Sequence, residues 1–381
     1  MQELLQGILG MNLGSVIMMA VGGILIYLAI AKDYEPMLLL PIGFGAILAN
    51  IPFSSAIGTD GFLSILYNAG IQNELFPVLI FIAVGAMIDF GPLLQNPFML
   101  FFGAAAQFGI FATMLASLFL GDWLKDLGLG INIGLKEAAS IGIIGAADGP
   151  TSIYVANKFA KDLLGPIAVA AYSYMSLVPI IQPPVIKALT TRKERLIRME
   201  AREVKVPKIV KILFPIVVTV VAGIIAPISV ALVGALMFGN LIRECGVLER
   251  LSKAAQNELA NLVTLMLGIS IGSTMVADKF LNPATILIMV LGLVAFIFDT
   301  AGGVLFAKFL NLFLKNKVNP MVGAAGISAF PMSARVIQRM AQKEDPTNFV
   351  LMQSVSANVA GQLGSIVAGG ILLAVVPALL K

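Results

Sequence analysis

The sequence predicts an all-α polytopic membrane protein built from two structural repeats whose helices are broken by glycine and proline. Three observations lead to this fold class: an apolar composition, apolar runs long enough to cross a bilayer, and similar Gly/Pro-interrupted segments in the two halves. Hydrophobic residues occupy 59% of the 381 positions, charged residues occupy 12%, and the mean hydropathy is +0.96. Soluble domains carry about 25% charged residues, so a water-soluble fold could not bury this much apolar surface.

The apolar runs predict transmembrane helices. They lie at residues 14–31, 98–120, 212–239 and 283–298, and they approach or exceed the roughly 20 residues that cross a hydrocarbon core. Because only helices and closed barrels satisfy the backbone in lipid, uninterrupted apolar runs indicate helices. About ten to twelve hydrophobic segments are present, several of them short and glycine-rich, which predicts interrupted or re-entrant helices as well.

The basic stretch at residues 187–211 is the densest cluster of Lys and Arg in the chain. By the positive-inside rule it is cytoplasmic. We therefore expect a first membrane repeat at residues 1–189, a basic loop at 190–208 and a second membrane repeat at 209–381. A topology signal is a sufficient explanation of this charge, and a docking surface for a soluble partner is the alternative.

Two landmarks recur in the same order in both halves and predict an internal duplication. An Asn-Pro pair opens a long apolar helix at Pro97 and again at Pro283, 186 positions later. Further along, GAADGPTS at 145–152 aligns with GISAFPMS at 326–333 at a constant offset of 181. Paired Gly/Pro-interrupted segments in two transporter halves indicate a binding site near the midplane. Chance similarity between Gly- and Pro-rich membrane helices is the alternative.

The missing residue types restrict the chemistry. The chain has no histidine, and Cys245 is its one cysteine, which excludes His metal sites, a Ser-His-Asp triad and His proton relays within the chain. It has no phosphate-binding glycine loop and no biotin-attachment Met-Lys dipeptide. Carboxylates, hydroxyls, amides and the backbone remain, and energy must come from another gradient or another subunit.

Asp148 is the first candidate site residue. It lies in the apolar stretch IGIIGAADGPTSIYVA, where an ionised carboxylate at the bilayer centre costs at least about 2.5 to 3.5 kcal/mol. Gly149 breaks the helix, and Pro150 suits the first position of a new half-helix. Free carbonyls, hydroxyls and the carboxylate would form an oxygen site for Na⁺, or the carboxylate would carry a proton. A simple helix cap is the alternative.

The second interrupted segment offers neutral oxygens. Ala329 stands where the first segment has Asp148, and glycines permit close approach of the backbone. The oxygen-bearing or glycine candidates near it are Asn319, Gly323, Gly326, Ser328 and Ser333. Together the two segments could hold one or two monovalent cations without an excess of negative charge.

Five further residues each allow two interpretations. Asn358 is either a cation ligand or one partner of an interhelical hydrogen bond. Arg335 either binds a carboxylate or extends to the headgroups. The Tyr174 hydroxyl needs a partner or water. Asp89 and Asp299 are either second cation ligands or helix-end and packing residues.

Four long segments carry a resemblance to a known family. They are GAMIDFGPLLQNP at 85–97, KEAASIGIIGAADGPTSIYVANK at 136–158, IQPPVIKALTTRKERLIRM at 181–199, and NPMVGAAGISAFPMSARV at 319–336. Over nearly its whole length the chain resembles the membrane-embedded β subunit of the sodium-pumping biotin-dependent decarboxylases, the oxaloacetate, glutaconyl-CoA and methylmalonyl-CoA enzymes.

The resemblance implies that carboxybiotin, presented by a partner subunit, is decarboxylated while Na⁺ is exported and a proton is taken up. It implies an essential aspartate at Asp148 and a reactive or cofactor-binding arginine at Arg335. The other positions that match the family's functional residues are Tyr174, Asn319, Gly323, Ser328 and Asn358. It also implies a fold similar to cation/proton antiporters and a location in a bacterial or archaeal cytoplasmic membrane. The implied partners are a carboxyltransferase, a biotin carrier, a small membrane-anchoring subunit and further copies of this chain, with no nucleic acid.

The leading hypothesis is therefore a Na⁺ pump driven by carboxybiotin decarboxylation, in which Asp148 binds Na⁺ and a proton in turn. A secondary Na⁺/H⁺ antiporter is the alternative, because it needs the same carboxylate and broken helices but no partner. A structural membrane scaffold that does not bind sodium is the third.

Overall fold

The computed structural model describes residues 6–7, 9–33, 35–126, 133–199 and 205–380. Within these ranges the regular secondary structure is helical, and no strand occurs. This confirms the predicted all-α membrane class.

The first half alternates long helices with short ones. In chain order they are α1 (Leu13–Lys32), α2 (Pro36–Asn50), α3 (Phe62–Leu66), α4 (Leu75–Met87), α5 (Gly91–Gln95), α6 (Leu100–Ala106), α7 (Phe108–Asp126), α8 (Leu135–Gly142), α9 (Gly149–Phe159), α10 (Leu164–Ser176) and α11 (Val178–Leu189). A short helix in the basic loop, α12 (Arg192–Arg195), begins with a capping box between Thr191 and Glu194.

The second half shows a similar order. Its helices are α13 (Lys208–Ile225), α14 (Val230–Glu244), α15 (Glu249–Ala254), α16 (Ala260–Gly272), α17 (Ala277–Phe280), α18 (Pro283–Leu310), α19 (Pro320–Ala324), α20 (Met332–Glu344) and α21 (Leu351–Leu379). Asn282 caps α18 through the Thr285 N–H at 2.8 Å, so the predicted Asn-Pro start of this long helix is confirmed.

Among the described residues, five helical stretches are long and apolar enough to cross a membrane. They are Leu13–Lys32, Pro97–Trp123, Pro227–Glu244, Pro283–Leu310 and Leu351–Leu379. Two bent helix pairs, α3 with α4 and α10 with α11, raise the number of spans to seven if each pair crosses once. The α2 helix is apolar but shorter.

The two halves pack through reciprocal contacts between equivalent helices. In the first half α2 contacts α16 of the second, and in the second half α14 contacts α4 of the first. A Cβ at Gly85 of α4 would collide with the Leu236 carbonyl oxygen, and one at Gly272 of α16 with the Ile42 carbonyl oxygen. Glycine therefore permits both close contacts. This equivalence agrees with the predicted duplication, which stays a prediction.

Two broken segments cross in the interior. In the first, a short 3₁₀ turn (Ile143–Ala146) follows α8, Ala147 adopts a left-handed conformation with φ 54°, and α9 begins after Asp148. In the second, α19 ends at Ala324 and α20 begins after Pro331. The Ser328 N–H donates to the Ala146 carbonyl at 3.0 Å, so the two breaks are in direct contact.

Candidate functional site

Asp148 lies at the crossing of the two broken segments with 4% of its surface exposed. One carboxylate oxygen accepts from the Thr151 N–H at 3.3 Å. The other accepts from the Thr151 hydroxyl at 2.6 Å, the Ser365 hydroxyl at 2.9 Å and the Gln362 amide at 3.2 Å. Hydrogen bonds to an ionised acceptor are among the stronger ones in proteins, so this pocket is built to hold a negative charge.

The local sequence explains how Asp148 reaches this position. Its backbone is extended, and Pro150 lies in the first turn of α9, where the missing N–H costs no hydrogen bond. Asp148 caps α9 through Thr151, as the alternative interpretation expected. A cap requires only the N–H groups of its own helix. Gln362 and Ser365 come from α21 in the other half, so the site exceeds a simple cap.

Gln362 and Ser365 were not predicted as site residues. They follow Asn358 by four and seven positions, and in a helix residues at this spacing share one face. Asn358 was predicted from the same stretch of sequence. The periodicity of polar residues along an otherwise apolar helix was therefore the signal that could have identified all three.

Ser328 and Asn358 connect α21 to the second break. The Ser328 hydroxyl donates to the Gly361 carbonyl at 2.9 Å, and the Asn358 amide nitrogen donates to the Ile327 carbonyl at 2.6 Å. The Asn358 amide oxygen is buried and, within the part of the chain that the structure describes, accepts no hydrogen bond. Asn358 thus makes the interhelical bond, and its role as a cation ligand stays a prediction.

The second break is closed by neutral groups. Gln182 on α11 donates to the Ala324 carbonyl and to the Ser333 hydroxyl, each at 2.8 Å. Ser333 can also donate to the Gln182 side-chain oxygen at 3.0 Å. Gln182 lies 180 positions before Gln362, so each broken segment receives a glutamine from the opposite half.

Asn319 and Gly323 make contacts away from Asp148. The Asn319 amide donates to the Arg195 and Ile197 carbonyls, both at 2.9 Å, and its oxygen accepts from the Met321 N–H at 3.1 Å. Gly323 packs backbone to backbone against Gly303 of α18. The structure gives Asn319 the contacts of a loop anchor and gives Gly323 those of a helix-packing residue.

The remaining predicted residues are dispersed. The Tyr174 hydroxyl donates to the Met289 carbonyl of α18. The neighbouring Tyr172 ring packs against Gly149. Arg335 is exposed in the first turn of α20, and among the described residues no ion pair or hydrogen bond engages its guanidinium. Asp89 lies near Lys211 at 3.7 Å and Arg243 at 3.8 Å, as the helix-end interpretation expected.

Sequence comparison places this geometry in a known family. The family model described as the Na⁺-transporting oxaloacetate decarboxylase beta subunit matches residues 14–376. The chain belongs to this family. Membership favours the decarboxylase hypothesis over a free-standing antiporter, and it makes the chain the membrane β subunit of a multi-subunit Na⁺-transporting decarboxylase.

Three relatives of this β subunit illustrate the similarity. The chain is 52% identical to the glutaconyl-CoA decarboxylase subunit beta of Acidaminococcus fermentans, over 97% of this chain and 95% of the relative. It is 49% identical to the methylmalonyl-CoA decarboxylase subunit beta of Propionigenium modestum, over 96% of each chain. It is 46% identical to the oxaloacetate decarboxylase beta chain of Haemophilus ducreyi, again over 96% of each.

The basic loop of the β subunit is clamped to the second half. Arg195 pairs with Glu344, and Arg198 pairs with Asp345, both at 2.7 Å. The hydrogen bond from Arg195 lowers the pKa of Glu344. The Thr347 hydroxyl and then Arg198 lower the pKa of Asp345 to about 2. These two arginines are therefore engaged within the chain.

Proposed function

We propose that the chain releases CO₂ from carboxybiotin and couples this step to Na⁺ export, with Asp148 binding Na⁺ and a proton in turn. The observation that carries the proposal is the Asp148 carboxylate, which is buried at the crossing of two broken helices and accepts hydrogen bonds from both halves of the chain. A carboxylate with adjacent hydroxyl and amide oxygens is suited to a hard monovalent cation.

The Ser365 hydroxyl supplies a way to exchange the two cations. Its oxygen lies 2.9 Å from the Asp148 carboxylate and 3.1 Å from the Gln362 carbonyl. When Na⁺ occupies the carboxylate, the hydroxyl can donate to the Gln362 carbonyl and turn its lone pair toward the ion. When a proton occupies it, the same oxygen can accept from the protonated carboxyl. One side chain thus stabilises both states.

The ends of the broken segments support access from both membrane faces. Asn319 and Glu344, at opposite ends of the second segment, both contact Arg195 of the basic loop, which the positive-inside rule places in the cytoplasm. We take the bent α10–α11 pair, which runs from Leu164 to that loop, as one membrane span, and this puts the end of α9 at the other face. We therefore propose two re-entrant hairpins that enter from opposite faces and meet at Asp148, in repeats of inverted orientation like those of antiporters.

Arg335 is the residue that we assign to the carboxyl group of carboxybiotin. It is exposed, its guanidinium has no partner in the described chain, and it follows the second break by one helical turn. A guanidinium matches a carboxylate in geometry and charge. When carboxybiotin loses CO₂, its ureido nitrogen takes up one proton, and the free energy of this decarboxylation drives the export of Na⁺. Moving one charge against 100 mV costs about 2.3 kcal/mol.

The partner assignments follow the same logic. We propose that a carboxyltransferase and a biotin carrier deliver the carboxyl group from the cytoplasmic side, that a small membrane-anchoring subunit and further copies of this chain complete the assembly, and that the site lies in a bacterial or archaeal cytoplasmic membrane. The relatives include subunits of three different decarboxylases. A common β subunit design would leave the choice of acid to the carboxyltransferase.

The test is reconstitution of the purified complex into sealed vesicles. Decarboxylation should drive ²²Na⁺ transport, and withdrawal of Na⁺ should slow CO₂ release. The chain reconstituted alone should show no Na⁺/H⁺ exchange. Exchange by the chain alone without biotin would instead favour the antiporter, and CO₂ release that is indifferent to Na⁺ would overturn the coupling.

A further inference from the structure

A second carboxylate lies inside the membrane domain and has no part in the Asp148 site. Asp299 lies near the middle of α18 and is completely buried. Within the described residues, neither of its carboxylate oxygens has a hydrogen-bond partner at normal distance and angle. An ionisable residue at this depth is costly and usually functional.

The carboxylate of Asp299 faces the beginning of α7. The long helix of the first half is interrupted at Gln107, and α7 begins at the next residue. The Gly109 and Ile110 N–H groups lie near the carboxylate, although the Ile110 N–H also donates to the Gln107 carbonyl at 3.2 Å. A Cβ at Gly109 would collide with the Asp299 carboxylate oxygen and backbone nitrogen. The contact thus requires glycine, and the partial positive charge of a helix N-terminus faces the acid.

Further buried polar atoms lie on the same two helices. The Gln107 side-chain oxygen and the Thr113 and Thr300 hydroxyls are buried without hydrogen-bond partners in the described chain. Thr113 precedes Asp299 by 186 positions, the same offset that relates Pro97 to Pro283. At this equivalent position the long helix of the second half carries an acid, and that of the first half carries a hydroxyl. In the broken segments the acid, Asp148, lies in the first half instead.

We propose that Asp299 is a second proton-binding group of the pump, which carries part of the proton uptake while Asp148 exchanges with Na⁺. This inference rests on the proposed function. In each turnover the protonated Asp299 carboxyl passes its proton to the Asp148 carboxylate as Na⁺ leaves, and Asp148 releases that proton to the ureido nitrogen of biotin as the bond to CO₂ breaks and Na⁺ binds again. The Asp299 carboxylate regains a proton from the outer aqueous phase, so that the two acids carry the same proton in series and one proton enters for each CO₂ released.

The surroundings favour a proton over a metal cation. The groups that act on the Asp299 carboxylate are backbone N–H donors, which stabilise the ion while it exists but repel a cation. A buried charge without a counter-ion is costly, so the protonated form is the resting one. In the described chain, the other titratable side chains on elements packed against α18 are Asp122, Lys136, Glu137, Tyr172, Tyr174 and Lys187.

The first test separates proton binding from packing in the intact complex. Asp299→Asn keeps an acceptor for the Gly109 and Ile110 N–H groups but cannot ionise, so turnover should fall about a hundredfold. Asp299→Glu should recover part of it. Asp89→Asn is the matched control and should stay near wild type. Wild-type turnover in Asp299→Asn would overturn the proposal, because a packing role would survive this change.

The second test does not depend on pumping. Infrared spectra of the complex with isotope-labelled aspartate, saturated with Na⁺ so that Asp148 is ionised, should show the carbonyl stretch of a protonated aspartate, shifted in D₂O. Loss of the band in Asp299→Asn would assign it. Absence of the band from the wild-type protein, or its persistence in Asp299→Asn, would overturn the proposal even if Na⁺ coupling holds. Loss of Na⁺ coupling with the band intact would instead count against the proposed function.

Discussion

The two broken helices differ in the groups that close them. At the first break, the Asp148 carboxylate accepts hydrogen bonds from Thr151, Gln362 and Ser365. At the second, Gln182 and Ser333 close the break with neutral donors and acceptors. Each break receives its glutamine from the other half. Because neutral groups are sufficient to hold the second break, a carboxylate is not needed to hold the first, which supports the proposal that its charge serves the transported ion.

The largest expected effect follows from removing the charge at the first break, because this change makes the two breaks equally neutral. Asp148→Asn keeps the size of the side chain but removes the charge and the titratable proton. We expect Na⁺-coupled decarboxylation to fall by at least about a hundredfold, measured as CO₂ release and ²²Na⁺ transport by the reconstituted complex.

The control for Asp148→Asn is a carboxylate outside the crossing. Asp89→Asn changes a half-exposed group near Lys211 and Arg243 and should leave turnover within a few-fold. Retention of Na⁺-coupled turnover in Asp148→Asn would contradict the role assigned to this residue.

Ser365→Ala and Ser333→Ala compare the two breaks directly. The first variant removes a hydroxyl from the Asp148 break, and the second removes one from the neutral break. A hydrogen bond to a charged group contributes about 1.5 to 3 kcal/mol. Ser365→Ala should therefore raise the Na⁺ concentration for half-maximal turnover by about tenfold or more. Ser333→Ala should lower stability by about 1 kcal/mol and leave Na⁺ dependence unchanged. Equal shifts in Na⁺ dependence would show that the two breaks are equivalent for the ion.

Asn319→Asp tests whether the second segment reaches the ion or holds the loop. The aspartate keeps a good oxygen ligand but loses the amide donors to the Arg195 and Ile197 carbonyls. We expect faster tryptic cleavage of the loop, a several-fold loss of turnover and an unchanged Na⁺ dependence. Asn348→Asp, which loses a longer bond of 3.3 Å to Ile197, should have a smaller effect. A large change in Na⁺ affinity would return Asn319 to the ion site.

The smallest effect concerns pH. The pKa of Asp345 is about 2 in the folded chain, below the ordinary value of about 3.9, so its contribution to the clamp is present above about pH 4 and is lost as the pH falls toward 2. The distance between spin labels at positions 193 and 343 should stay constant from pH 8 to 5 and lengthen below 4. Arg198→Ala should lengthen it at every pH. In the protein that keeps Arg198, lengthening already near pH 7 would contradict the assignment.

Much of the architecture follows from the sequence because the bilayer imposes simple rules. Apolar runs indicate membrane helices, the Asn-Pro pair at Pro283 indicates where one begins, and the Gly/Pro breaks indicate where helices are interrupted. The resemblance implied crossed broken helices, but the residue pattern alone does not predict the crossing, because the breaks meet through the Ser328 to Ala146 backbone bond. Backbone groups carry no sequence signature, so such a contact between distant segments leaves no pattern.

The site was predicted in part. Asp148 was identified because a buried acid is costly, and Ser328 and Asn358 do lie at the crossing. Gln362 and Ser365 were missed because neutral polar residues are common in membrane helices and carry no comparable cost. Asn319 was a candidate oxygen near the second break and was assigned to the ion by resemblance. In the structure its amide donors bind the loop, and its ion-site role stays a prediction, because sequence records that an amide is present but not which way its nitrogen points.

The reciprocal contacts between helices of the two halves have a consequence for biogenesis. Because α2 rests on α16 and α4 rests on α14, neither half has its native neighbours until the other has been inserted. During synthesis the first half must wait in the bilayer with the glycine-lined faces around Gly85 covered only by lipid. A chain that ends at the basic loop would therefore lack these contacts, and native packing becomes a property of the complete polypeptide.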